Sequence, residues 1–205
     1  MGRKELGAQR RCRILQAART VFARLGYTGT SVEDISAQAG IAKGTLYLYF
    51  PSKEQIYLAA IVEDARELDG EWRAAIAVAT TWREKLRAYV EVRLNYLDAH
   101  QDFLRIFLME FRGMYLQGKP LQSELHRLIQ QDEAQMAQLL AAAGARGEIR
   151  DVDPELAAIT VTDLMHGLME RRLRVWGRPA GPADTEFALD ALYRMLARPI
   201  SAARS

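Results

Sequence analysis

The sequence predicts an all-α protein of about nine helices in two parts, a small N-terminal head and a larger C-terminal body. Three observations predict it. Apolar residues recur at three- and four-residue spacings in one segment after another, the period of helices buried along one face. Gly and Pro punctuate those segments, as at Gly26, Gly40, Pro51, Pro120, Gly147 and Pro154, where helices end or begin. Charge is uneven: residues 1–54 carry nine Lys/Arg against four Asp/Glu, and residues 55–205 carry nineteen against twenty-two, within a net charge of +2. A basic head on a mildly acidic body fits a head that meets phosphate. With 49% apolar residues, 14 Gly and 6 Pro, the chain has ample core and none of the composition of fibrous or disordered proteins.

Residues 1–8 read as a basic arm, suited either to an adjacent DNA groove or to plain solvation. The first helix is expected from about Ala8 to Leu25, with Ile14, Ala18, Val21, Phe22 and Leu25 as its stripe, and Gly26 ends it. Ser31 then suits the N-cap of a second helix, with Asp34 three residues on in the capping-box position. Val32, Ile35 and Ala39 share one face, and Gly40 follows where a left-handed C-cap residue is wanted. Ile41 plugs the turn. A third short helix from about Lys43 to Phe50 turns Leu46 and Phe50 inward and leaves Lys43, Thr45, Tyr47 and Tyr49 on other faces. Pro51 stops it, and Ser52 caps the next.

Two short helices about a Gly-containing turn form a helix-turn-helix, whose second helix can enter the DNA major groove. Lys43, Gly44 and Thr45 would lie nearest the bases. Tyr47, Tyr49 and Lys53 would hold phosphates, and Thr30 and Ser31 could add hydroxyl donors at the start of the second helix. The string resembles the TetR family of transcriptional regulators in Ser31-Val32, Ile35, Ala39-Gly40-Ile41, Lys43-Gly44-Thr45-Leu46-Tyr47, Tyr49-Phe50 and Ser52-Lys53-Glu54. The motif resemblance covers about the first 65 residues. Ala42 departs from it, standing where the family often has a capping Ser. The resemblance implies a DNA-binding head over residues 1–51, within a helix-turn-helix region of about 9–69, and a ligand-binding and dimerisation body over 52–205.

The body follows as further helices. The fourth, from Ser52 to about Arg66 or beyond, joins head to body. Thr80 or Thr81 caps the next, which carries Leu86, Tyr89, Val90, Leu94 and Leu97, with a break at Asp98-Ala99-His100. Residues 102–116 are rich in apolar and aromatic residues and read mostly as core. Phe103, Phe107 and Phe111, with Met165, His166 and Met169, are the candidate lining of an effector site, and Arg105 and Glu110 are candidate polar anchors beside them. A helix from near Pro120 to about Ala143 and a polar link over 147–154 follow. The helix from Leu156 to Met169 holds one charge, Asp163, and must be covered on more than one side. It pairs with a last helix over about 183–197. The usual family dimer would set these two helices against a second copy, through Leu164, Leu168, Leu189, Leu192 and Leu196.

Cys12 is the single cysteine. It excludes an internal disulfide and a cysteine-based zinc site, and reads as a buried or half-buried packing residue. Asp163, His166 and Glu170 share a helical face at ligand-like spacing, yet buried hydrogen-bonded polar groups are the commoner explanation. No metal or cofactor is expected. No phosphate loop, nucleophile elbow or Cys/His pair is present, so an enzyme is not expected. No apolar run reaches the roughly 18 residues of a membrane span, and the basic N-terminus lacks an apolar segment, so a cytoplasmic protein without membrane contact is expected. The reading is a homodimeric repressor of a palindromic double-stranded operator, released by a small hydrophobic or amphipathic effector. A helical small-molecule binder with an incidental basic head would show no salt-sensitive duplex binding. A nonspecific architectural protein would show no preference for palindromes.

Overall fold

The computed structural model describes residues 3–106, 120–173 and 181–198. Among them are eight helices and no strand: α1 (Arg3–Gly29), α2 (Val32–Gln38), α3 (Lys43–Tyr47), α4 (Lys53–Val78), α5 (Trp82–Ile106), α6 (Pro120–Ala145), α7 (Pro154–Arg171) and α8 (Pro182–Leu196). Contacts divide the chain into two compact units. One gathers the chain up to Arg66 with His100–Leu125, and the other gathers Glu67–Ala99 with the chain from His126 onward.

The first unit closes over the inward stripe of α1. Ile14, Leu15, Ala18, Val21 and Phe22 pack with Ile35 and Ala39, with Leu46 and Phe50, and with Ile56, Tyr57 and Ala60 of α4. Phe103 joins them from α5. Tyr57 is its hub: Phe22 meets its ring edge-on with centroids 4.9 Å apart, and its hydroxyl donates to the Phe103 carbonyl at 2.8 Å. That bond satisfies the one polar atom of a fully buried ring. Arg19 of α1 and the buried Asp64 of α4 form an ion pair beside this core.

The second unit packs Trp72 of α4 with Leu86, Tyr89, Val90 and Leu94 of α5, Met136, Leu140 and Ala143 of α6, Ala158, Val161 and Met165 of α7, and Ala188, Leu189, Leu192 and Leu196 of α8. Helix starts carry side-chain caps. The Glu84 amide donates to Thr81 Oγ1 at 3.2 Å while the Thr81 amide donates to Glu84 Oε2 at 2.9 Å. Asp153 Oδ1 accepts from the amides of Glu155 and Leu156, both at 2.9 Å, ahead of Pro154.

Several boundaries differ from the sequence reading. The first helix runs to Gly29, because Gly26 at φ 71° bends the chain and a last turn resumes after it. The third helix is only one turn of α-helix, Lys43–Tyr47, which buries Leu46, and a following turn carries Phe50 into the core. The break at His100 is a kink inside α5, at φ −122° and ψ 16°, and not an end. Most of the aromatic segment 102–116, with Phe107 and Phe111, lies outside the described residues. Cys12 is exposed, not half-buried, because it sits on the side of α1 away from Ile14 and Ala18.

Candidate nucleic-acid interface and effector site

The helix-turn-helix is fixed by caps at both ends of α2. Ser31 Oγ accepts from the Asp34 amide at 3.1 Å, and Asp34 Oδ2 accepts from the Ser31 amide at 2.9 Å, a reciprocal capping box. The Ser31 hydroxyl, and then the Ser31 amide, donate to the Asp34 carboxylate and hold that carboxyl below its ordinary pKa. At the other end Gly40 takes φ 64°. Its amide donates to Ala37 O at 3.1 Å, and the Ile41 amide reaches back to Ser36 O at 3.0 Å. Those two bonds make a Schellman motif, which sends the chain sharply into α3. Ala42 precedes α3 without a side-chain cap.

α3 turns Leu46 into the core and presents a compact outer surface. Lys43, Gly44 and Tyr47 are exposed, and Thr45 and Tyr49 are half-buried. Lys43 Nζ stands 5.9 Å from the centre of the Tyr47 ring. It also pairs with Glu33 of α2, and that bond lowers the Glu33 carboxyl and raises the Lys43 ammonium in pKa. Two residues missed by sequence reasoning stand here. Glu33 places a carboxylate against the expected base-facing lysine. Leu48, just past α3, is 83% exposed, an apolar side chain suited to a thymine methyl. The signal for Leu48 was its position between the two outward tyrosines.

Three of the expected phosphate contacts have work inside the protein. Thr30 is buried and its hydroxyl donates to Gly26 O at 2.7 Å. The Ser31 amide and hydroxyl are both bonded to Asp34. Neither residue therefore stands as an open phosphate donor. Lys53 Nζ donates to Tyr27 O at 2.7 Å and Thr30 O at 2.8 Å, and lies 4.4 Å from the centre of the Tyr27 ring. It fastens the link between α1 and α2 to the start of α4, through carbonyls at the C-terminal end of α1 and just beyond it. An ammonium has three donors, so one remains beyond these two carbonyls.

The expected effector residues divide between the two units. Phe103 is in the core of the first unit. Met165 is fully buried in the second, Met169 is half-buried, and His166 is exposed on α7. The ring of His166 is nonetheless crowded: desolvation first, then the Arg93 charge, lower its pKa from the ordinary 6.5. Phe107, Phe111 and Glu110 lie outside the described residues.

Of the expected interface residues, Leu164 and Leu168 are half-buried, but Leu189, Leu192 and Leu196 are fully buried within the protomer. Those three fill the second unit's own core and are not available to a partner. The apolar residues that the last two helices do expose are Leu156 at 65%, Ile159 at 42% and Phe187 at 70%. Among the described residues no group of three His, Cys, Asp or Glu side chains is placed to hold a metal, and no helix is long and apolar enough to cross a membrane.

A family model described as bacterial regulatory proteins, tetR family, matches residues 14–60, and one described as a tetracyclin repressor-like C-terminal domain matches residues 79–200. The HTH-type transcriptional regulator RutR of Escherichia coli (strain K12) is 32% identical over 150 residues, covering 69% of this chain and 65% of RutR. The match thus spans just under two thirds of that relative. The HTH-type transcriptional repressor KstR2 of Rhodococcus jostii (strain RHA1) is 30% identical over 178 residues, covering 86% of this chain and 84% of KstR2. In fold, the chain is similar to the transcriptional regulator FadR from Bacillus subtilis, solved in complex with stearoyl-CoA. That likeness has a TM-score of 0.75 at 23% identity and covers 88% of this chain and 96% of FadR.

Proposed function

The chain belongs to the tetR family of bacterial regulatory proteins, and from that membership we propose that it is a cytoplasmic, homodimeric repressor of a palindromic operator, released by a small hydrophobic or amphipathic effector. The carrying observation is the outer surface of α3, where Lys43, Gly44, Tyr47 and Leu48 stand exposed behind a rigid Schellman turn. A surface that joins cationic, phenolic and apolar groups on one short helix suits the major groove. Thr45 and Tyr49 flank it, and Lys53 keeps one donor for phosphate. In this reading the head over residues 1–51 binds DNA, and the body over 52–205 binds the effector and the second copy.

The dimer contact runs through the exposed apolar residues of α7 and α8, Leu156, Ile159 and Phe187, with the half-buried Leu164 and Leu168 beside them. Large exposed apolar side chains gathered on the last two helices are the expected mark of a covered surface. The effector is given a lipid-like chemistry because FadR, similar in fold over most of its length, is solved in complex with stearoyl-CoA. Binding shifts the heads only if the effector prefers one arrangement of them. α4, which begins at Lys53 and extends to Val78, is the proposed lever.

The test is selection of bound sites from random duplexes. An inverted repeat should emerge. Lipid-like compounds screened against it should include one that releases the protein, and that compound should bind more weakly by the same factor when operator is present. No enriched site would refute the reading.

A further inference from the structure

The outer surface of the helix-turn-helix carries one aliphatic side chain among polar ones. Leu48 directly follows α3 and is 83% exposed, against at most 50% for the other large apolar side chains described in the head. The backbone around it is fixed. Its amide donates to Thr45 O at 3.2 Å, and the amides of Tyr49 and Phe50 donate to Leu46 O at 3.0 and 3.1 Å. Helical angles continue through Leu48 itself, at φ −68° and ψ −22°. Gly44 and Leu48 each stand two residues from the buried Leu46, so each lies about 200° around the helix from it. Both therefore face away from the core, one turn apart.

A single exposed leucine is ordinary. Its place makes this one informative. The exposed Lys43 and Tyr47 stand beside it, bringing the cationic and phenolic groups that hold DNA phosphates. The leucine meets whatever those two groups meet. Nothing inside the protein asks for glycine at 44: its φ is not positive, and a Cβ there would meet no atom within 4 Å. Gly70 and Gly167 are open in the same way, so openness alone decides nothing. Gly44 differs in standing one turn from Leu48 on the outer side, where the missing Cβ lets a facing surface come close to the backbone.

The 5-methyl group of thymine is the apolar group of the major groove, where purine edges and the cytosine amino group present donors and acceptors. Leucine has neither. Set against those polar edges it would take their water and leave them unpaired. Set against the thymine methyl it buries apolar surface on both sides.

We propose that Leu48 reads the 5-methyl group of a thymine at one fixed position in each half of the operator, and that Gly44 leaves the space for that base pair to approach. This rests on the operator-binding reading above and narrows it to one methyl group per half-site.

The experiment takes the duplex recovered by selection and replaces its thymines with deoxyuridine, one symmetric pair at a time. Deoxyuridine pairs as thymidine does and lacks only the methyl. One pair should stand out in binding to the full chain, with a loss of about fourfold for a single replacement and about 15-fold for both, the scale of a buried methyl. Leu48→Ala should keep the thermal midpoint, weaken binding to the thymine duplex by a similar factor, and lose nothing further when that pair is replaced. Gly44→Ala should weaken binding by at least about fivefold, the low end for an extra methyl in a packed contact. A recovered duplex with no such pair, or a deoxyuridine penalty as large in Leu48→Ala as in the unaltered protein, overturns the proposal. Full-strength binding by Gly44→Ala overturns the part given to Gly44. Those results leave the operator-binding regulator standing, because a duplex was selected. Selection of no duplex overturns that reading and this proposal together.

Discussion

Lys53 has two claims on it, and they predict different losses. Its ammonium bonds to the carbonyls of Tyr27 and Thr30, so Lys53→Ala should destabilise the first unit by about 1.5–3 kcal/mol, the range for hydrogen bonds that involve a charged group. If its remaining donor holds a phosphate, the salt dependence of duplex binding should also fall by roughly one unit of slope. Thermal unfolding with a salt titration separates the two: lost stability with an unchanged slope would leave Lys53 a purely structural residue. Glu33 predicts a change of opposite sense. It holds Lys43 by an exposed ion pair, so Glu33→Gln should release that cation and tighten binding to every duplex several-fold, with a steeper salt slope. Equal affinity would mean that Lys43 does not face DNA. The exposed pair of Lys43 and Tyr47 was legible in the sequence because short-range helix geometry decides it. The internal duties of Thr30, Ser31 and Lys53 were not, because they depend on where the bend at Gly26 brings carbonyls that lie 23 and 26 residues from the lysine in sequence.

At the scale of elements, the caps were the most legible features. Ser31 with Asp34 and the left-handed Gly40 form the bonds that their spacing implied, since these motifs need only neighbours in sequence. The start of α5 gives a pH test of the same chemistry. Glu84 accepts from both Thr80 and Thr81, and those bonds lower its pKa from 4.5 to about 2. A carboxyl lowered on folding contributes stability that is present above its unfolded value and lost as pH falls through the folded one. Glu84→Gln should therefore lower stability most above about pH 4.5, where the charged cap is formed, and flatten the profile between about pH 4.5 and 2. Denaturant midpoints across that range measure it, and an unaltered profile would mean that the cap is not formed in solution. The apolar faces were less legible. α8 carries Leu189, Leu192 and Leu196 at helical spacing, and the period marks a buried stripe without saying what buries it. The stripe faces the second unit's own core, and the surface left for a partner is the sparser set around Phe187.

At the scale of the whole molecule, the proposed palindromic operator requires two copies acting together. Charging the exposed residues Ile159 and Phe187, as Ile159→Glu with Phe187→Glu, should raise the dimer dissociation constant by well over tenfold. Protomer stability should change little, because surface positions typically shift it by about 0.5 kcal/mol or less. Sedimentation should then find folded monomer, and an unaltered dimer would place the contact elsewhere. Leu192→Arg is not equivalent: at 0% exposure it would bury an unpaired charge and unfold the second unit. The all-helical fold and the helix-turn-helix were readable from periodicity and turn chemistry. The proposed dimer surface was not, because it depends on which apolar residues the tertiary structure leaves exposed.

The most direct test of the central claim is the stoichiometry and salt dependence of binding to the selected duplex, measured beside a duplex carrying one half-site. A dimeric reader of an inverted repeat should place two protomers on the full site, bind steeply more weakly as salt rises, and lose at least about 100-fold on the half-site, since helix-turn-helix dimers place two recognition helices one turn apart. Binding as a single protomer with equal affinity for whole and half sites, or binding indifferent to salt, would contradict it.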